Sequence, residues 1–165
     1  PLVRAARETR RLLRERWKLD DPARQEEQRS VLVVRWPPNA SRGRHVVNHD
    51  RLVAELKDFA GKRGWTVEVF DTSKLPKGKS AVDDAAENFD RAALIVAPHG
   101  AGLSNMLFSR SDVVIFEFIK QQEINPCYTV LAGALGLRYY GLVFRAPYNV
   151  PIDQLLSYYI LEKIV

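Results

Sequence analysis

The sequence predicts an α/β fold built on a doubly wound, mostly parallel sheet. Short, continuous runs of aliphatic residues, typical of strands buried on both faces, recur along the chain. They alternate with longer stretches in which apolar residues recur every three or four positions, as in amphipathic helices. Alternating strands and helices form βαβ units, and right-handed crossovers between such units give a Rossmann-like layered structure.

The first predicted helix covers residues 2–19, where apolar side chains form one face and arginines the other. Asp20-Asp21-Pro22 ends it, because an aspartate pair followed by proline is typical of a helix boundary. The first strand is predicted at residues 31–35, an aliphatic run that closes with Arg35. Pro37-Pro38 stops this strand.

The next helix begins at Asn48 or Asp50, either of which could cap it, and runs to about Lys62. Gly64 stands where a glycine often follows a helix. Further strands are predicted at residues 65–70, 93–97, 113–118 and 137–144, and further helices at 81–91, from 103 onward, at 124–135 and at 151–163. We expect residues 1–29 to form a basic amphipathic helix with a linker, and residues 30–165 to form the Rossmann-like domain.

Composition and charge exclude several classes of protein. With 165 residues, 46% of them apolar, the chain can bury one core and is neither a disordered tail nor a disulfide-rich miniprotein. The net charge of +5 first suggests nucleic-acid binding, but the seven basic and two acidic residues at positions 1–18 account for the whole excess. We therefore predict no nucleic-acid partner and expect the arginine face of the first helix to meet solvent or another domain. RNA binding by that helix is an alternative, and it predicts an affinity that falls steeply with salt.

The chain begins with Pro1 rather than Met and shows no signal-peptide pattern and no apolar run long enough to span a bilayer. We therefore expect it to be a piece of a longer protein. Its single cysteine, Cys127, cannot form an internal disulfide, and its place among helix residues predicts a packed thiol rather than a nucleophile.

The most informative stretch is Ala-Pro-His-Gly-Ala-Gly-Leu-Ser-Asn at residues 97–105, between a buried strand and a helix. Two glycines would allow positive φ angles and a close approach to a ligand, and the amides at a helix start favour a phosphate. His99 could donate to a phosphate oxygen or a sugar hydroxyl. The alternative is a tight turn with a satisfied histidine. The dinucleotide fingerprint is incomplete, since Asn105 stands at its last position.

Polar residues at other strand ends suit the same ligand. Arg35 could bind a phosphate in a bidentate manner, whereas Asn48 could be only a helix cap. Glu117 is a carboxylate in an otherwise apolar strand, which is costly unless it is paired or exposed. It could hold ribose hydroxyls, face solvent at an edge or form a structural ion pair, and the sequence leaves these readings open.

Together these stretches resemble glycosyltransferase family 61 over nearly the whole chain. The first strand ends in Arg35, and an Arg-x-x-x-Asn element follows as Arg44 to Asn48. The signature Pro-His-Gly-Ala-Gly-Leu-x-Asn-x-Leu-Phe occupies residues 98–108, and a strand ending in Glu117 comes next. Supporting elements are Tyr-x-x-Leu-Ala at residues 128–132 and Asn-Val-Pro-Ile-Asp at residues 149–153. One departure is Ala85, which follows Asp84 where the family usually has an acid and then glutamine.

The resemblance implies the donor-binding, carboxyl-terminal half of a GT-B enzyme that inverts configuration and uses a UDP-sugar without a metal. The acceptor would be a hydroxyl of a protein or glycan, and the general base would lie in an amino-terminal domain outside this chain. The implied location is the lumen of the Golgi or endoplasmic reticulum, with any membrane anchor outside this chain. A non-catalytic nucleotide-binding module or a degenerate family member is the alternative.

The resemblance also implies a set of donor-binding residues and no cofactor. These are the side chains of Arg35, Arg44, Asn48, His99, Asn105 and Glu117 and the backbone of Gly100, Ala101, Gly102 and Leu103. No catalytic base is identified, and His99 is the candidate for a contact to the leaving group or the sugar.

Overall fold

Five strands form one sheet in the computed structural model, which describes residues 1–25, 27–37, 45–71, 73–74, 77–122 and 124–145. The strands are β1 Ser30–Arg35, β2 Thr66–Asp71, β3 Ala92–Pro98, β4 Val114–Lys120 and β5 Arg138–Phe144. Their order is β2-β1-β3-β4-β5, and every neighbouring pair is parallel. The predicted α/β class with a parallel Rossmann-like sheet is thereby confirmed.

The described residues also form five α-helices and a 3-10 helix, of which two α-helices precede the first strand and the others connect the strands. The α-helices are α1 Leu2–Arg16, α2 Pro22–Gln25, α3 His49–Gly61, α4 Ala81–Arg91 and α5 Cys127–Leu135, and the 3-10 helix is Ala101–Phe108. The helix predicted at residues 151–163 lies outside the described residues. The helix predicted from residue 103 is the 3-10 helix, which starts two residues earlier.

Local hydrogen bonds explain where the helices begin and end. The predicted bounds of α4 are confirmed, and the Ser80 side chain caps it by accepting the Asp83 N–H. α1 ends at Arg16 rather than at residue 19, because Lys18 takes a left-handed φ of 51° and the Leu19 N–H turns back to the Arg14 carbonyl. α5 begins three residues later than predicted, where the Asn125 side chain accepts the Cys127 N–H.

The sheet separates two apolar cores, because successive strand residues point to opposite faces. On one face, Val31 and Val33 pack with Leu52 and Leu56 of α3. On the other face, Leu32 and Val34 belong to the core that the 3-10 helix, α4 and α5 build. Helices thus cover both faces, as the doubly wound prediction requires.

α1 packs against the body through several of its arginines. The Arg7 Nε donates to the Ala134 carbonyl at 3.0 Å, and the Arg10 guanidinium donates to the Ser109 carbonyl at 2.6 Å. Arg14 is buried and donates to the carboxylate of Asp90, which is also buried, at 2.9 Å. The expectation that the arginine face meets solvent or another domain is therefore wrong for Arg14, whereas Arg7 is exposed and Arg10 is half-buried.

Two further findings concern single predictions. Cys127 is exposed at the first turn of α5, so the prediction of a packed thiol is wrong. Within the part of the chain that the structure describes, no helix has the length and apolar character needed to cross a membrane.

Candidate active site

The crevice at the carboxyl ends of β1 and β3 is where the fold places a ligand. β2 lies beyond β1, and β4 lies beyond β3, so the connections leave these two neighbouring strands in opposite directions. Ligands of doubly wound sheets bind at such a switch point. Arg35 ends β1 and Pro98 ends β3, so the structure brings Arg35 and the 97–105 loop to the same edge of the sheet.

Trp36 joins these two strand ends. A Cβ atom built on Gly100 would lie 2.6 Å from Cζ2 of the Trp36 indole, far inside van der Waals contact. The φ of Gly100 is 166°, which is extended backbone, and Gly102 is not among the residues with positive φ. The expected left-handed glycines are therefore wrong, and Gly100 is needed to make room for the indole. Sequence reasoning missed Trp36, because nothing local pairs an aromatic residue after one strand with a glycine after another.

The backbone of the signature loop is partly used by the fold itself. The His99 N–H donates to the Phe118 carbonyl at 2.9 Å and extends the pairing of β3 with β4. The Leu103 N–H donates to the Gly100 carbonyl at 3.0 Å, and the Leu103 side chain is buried in the core. The first amides of the 3-10 helix, those of Ala101 and Gly102, have no acceptor inside the helix. Asn105 is half-buried on the same helix.

His99, Glu117 and Tyr139 form a chain of side-chain hydrogen bonds. The His99 Nδ1 lies 2.5 Å from one carboxyl oxygen of Glu117, and the Tyr139 hydroxyl donates to the other. The Tyr128 ring from α5 packs against the imidazole, with 5.2 Å between the ring centroids. The three bonded residues come from the loop after β3, from β4 and from β5, so the parallel sheet itself aligns them.

The surroundings of Glu117 exclude one of the readings that the sequence left open. Its side chain is 0% exposed, so the reading of a solvent-facing edge residue is wrong. The carboxyl group is instead paired with His99 through one oxygen and with Tyr139 through the other. Burial raises the pKa of Glu117 from 4.5 to about 8, because the interior disfavours the charged form.

The opposite wall of the crevice is built by the end of β1 and the start of α3. These residues line a cavity of about 210 Å³, to which Arg35, Trp36, Asn48 and His49 all contribute. Asn48 precedes α3, but its side chain makes no capping hydrogen bond, so the reading as a side-chain cap is wrong. Burial, and then the neighbouring charge of Arg35, lower the pKa of His49. Arg44 lies outside the described residues.

Ala85, which stands where the family usually has glutamine, lies in the apolar core. Ala85 is buried in the core beneath α4, where a glutamine amide would need polar partners. Asp84 is also buried, its carboxylate accepts from the Asn88 amide at 3.1 Å, and burial raises its pKa. Among the described residues, no group of three or more His, Cys, Asp or Glu side chains is arranged to hold a metal ion.

Comparison with known proteins shows the family of this chain. The sequence model of the family Glycosyltransferase 61 matches residues 2–116, which include Arg35, Asn48 and the whole signature loop. A search of curated proteins found no match to this chain. Because the family match covers well over half of the sequence, the chain belongs to glycosyltransferase family 61 and is a glycosyltransferase domain with a Rossmann-like fold.

Proposed function

We propose that this domain binds the UDP-sugar donor of an inverting glycosyl transfer and stabilises the departing UDP. The observation that carries the proposal is the contact of Trp36 with Gly100 across the switch point. This contact sets Arg35, on the strand that leads into Trp36, beside the loop that begins with His99. A guanidinium, an imidazole and helix-start amides are the groups that suit a diphosphate in the absence of a metal.

In this proposal several of the predicted residues have a task. Arg35 and the amides of Gly100, Ala101 and Gly102 hold the diphosphate, and Asn48 lines the same wall. The amino-terminal amides of the 3-10 helix would stabilise the negative charge that develops on the leaving oxygen. Inversion also needs a base that accepts the proton of the acceptor hydroxyl, and we propose that another domain supplies it.

The resemblance to GT-B enzymes supports the wider setting of the proposal. In it, the acceptor is a hydroxyl of a protein or glycan, and transfer takes place in the lumen of the secretory pathway. No metal is required, because protein donors neutralise the diphosphate.

Calorimetric titration of the chain with UDP tests the proposal. We expect weak binding, and Arg35→Ala should reduce the affinity by about tenfold or more, since hydrogen bonds to charged groups contribute about 1.5–3 kcal/mol. Arg4→Ala, an exposed arginine on α1, is the control and should titrate like the unaltered chain. Equal titrations of the Arg35→Ala variant and the unaltered chain would contradict the proposal. Sugar transfer by this chain alone would refute the assignment of the base to another domain.

A further inference from the structure

The arrangement of Tyr139, Glu117 and His99 suggests more than a structural ion pair. Glu117 faces Gly141 directly across the β4–β5 pairing, and Tyr139 lies two residues earlier on the same face of β5. A Cβ atom on Gly141 would stand 3.7 Å from the Tyr139 ring and 2.9 Å from Ile119. The missing side chain at Gly141 therefore makes room for Ile119, and the Tyr139 ring lies at ordinary van der Waals distance from that position on its way to the carboxyl group.

Both oxygens of Glu117 are committed inside the protein. One faces the His99 Nδ1, and the other accepts the hydrogen of the Tyr139 hydroxyl. A carboxyl group held at both oxygens has its plane fixed, and it fixes the imidazole ring in turn. The Tyr128 ring packs against the imidazole and restricts its rotation further.

We propose that Tyr139 and Glu117 are positioning residues that hold His99 with a hydrogen on Nε2, aimed to donate it to the diphosphate of the departing UDP. The inference rests on the proposed function of the domain. His99 is the residue that touches the ligand, and the other two act through it. In the transfer, the bond from the sugar carbon to the diphosphate breaks as the acceptor oxygen bonds to that carbon, and the acceptor proton passes to the base of the other domain. No proton passes through His99, which stabilises the released charge by a hydrogen bond.

The protonation of the pair agrees with this role. Burial raises the pKa of Glu117 to about 8, so the carboxyl group keeps its proton near neutral pH. A protonated carboxyl group donates to Nδ1, which leaves the imidazole hydrogen on Nε2. If the proton instead moves to His99, the imidazolium again carries a hydrogen on Nε2. The opposite tautomer, with a bare Nε2, would need an ionised Glu117 beside a neutral histidine.

Two measurements on the same chain test the inference. Nitrogen-15 NMR of the imidazoles reports which ring nitrogen carries hydrogen, and the chain has only three histidines to assign. Calorimetry with UDP and with uridine separates binding of the diphosphate from binding of the nucleoside. We expect a hydrogen on His99 Nε2, and we expect Tyr139→Phe to weaken UDP binding by about two- to tenfold without changing uridine binding.

Two substitutions at Glu117 sharpen the test. Glu117→Gln should keep most of the UDP affinity, since its amide N–H can donate to Nδ1 while its carbonyl accepts from Tyr139. Glu117→Leu should lose the fixed tautomer and weaken UDP binding at least as much as Tyr139→Phe does. Tyr140→Phe is the matched control, because Tyr140 stacks on Phe116 and belongs to the core on the other face.

The outcomes separate the inference from the proposed function. If the chain does not bind UDP, the proposed function fails, whereas the NMR spectra still decide how His99 is held. The positioning role is overturned if His99 carries its hydrogen on Nδ1 with a bare Nε2. It is also overturned if Tyr139→Phe and Glu117→Leu both bind UDP as tightly as Tyr140→Phe does.

Discussion

At the scale of single residues, the contact between Trp36 and Gly100 predicts how much one added methyl group destabilises the protein. Gly100→Ala places a methyl group 2.6 Å from the indole, so the ring must move. Because the backbone at Gly100 is extended, alanine causes no backbone strain there, and the contact alone sets the cost. We expect a loss of about 1–3 kcal/mol in the free energy of unfolding, which urea denaturation measures.

The same substitution in a variant without the indole tests whether the indole causes the loss. In a Trp36→Ala variant, Gly100→Ala should be neutral or stabilising by about 0.4–1 kcal/mol, since alanine only lowers the entropy of the unfolded chain. Gly133→Ala in α5, where nothing lies within 4 Å of the added methyl, should likewise stabilise the unaltered chain. An equal loss from Gly100→Ala in both backgrounds would show that the indole is not responsible.

At the scale of elements, Arg14 fastens α1 to the rest of the domain. Its guanidinium donates to the buried Asp90 at 2.9 Å, to Asp20 at 2.7 Å and to the Phe108 carbonyl. Without this cation, the remaining ion-pair partner of Asp90 among the described residues is Arg110. The Arg110 Nη2 lies 3.4 Å from the Asp90 carboxylate. Arg14→Met should therefore cost about 3–5 kcal/mol in urea unfolding, because a buried charge loses its main partner.

Arg11 on the same helix is the matched control. It pairs with Glu8 and Glu15 at 2.8 and 2.9 Å, but all three side chains are more than half exposed. Water and salt screen such pairs, so Arg11→Met should leave the unfolding midpoint nearly unchanged. Similar effects of the two substitutions would mean that α1 is not anchored through Arg14.

Helices and strands were predictable from the sequence wherever neighbouring residues in the chain determine them. The bounds of α4 follow from Ser80 and the helical pattern after it, and the buried strands follow from their aliphatic runs. Contacts between distant residues were not predictable, since Arg14 meets Asp90 across 76 positions and Tyr139 meets Glu117 across 22. The sequence therefore predicts which edge of the sheet carries the site, and the structure adds Trp36 and Tyr139.

At the scale of the whole molecule, the use of the net charge also became visible only through contacts between distant residues. The excess of +5 resides in the first 18 residues, and three arginines there are used to join α1 to the body. Net charge thus describes how this helix is attached, and it carries no information on the ligand. Arg35 and His99, the two side chains that we propose for the diphosphate, belong to the part of the chain whose formal charges cancel.

The global stability of the domain should depend on pH through Glu117. Since burial raises its pKa from 4.5 to about 8, the folded protein binds more protons at this site than the unfolded chain does between these values. The free energy of unfolding should therefore fall as the pH rises through this range.

His49 acts in the opposite direction, because burial lowers its pKa, so the contribution of Glu117 is the difference between two variants. Urea unfolding from pH 4.5 to 8.5 should show this decline in the unaltered chain and in Glu55→Gln, a control on the partly exposed side of α3. Glu117→Gln should lose it, and a parallel decline in Glu117→Gln would place the responsible proton elsewhere.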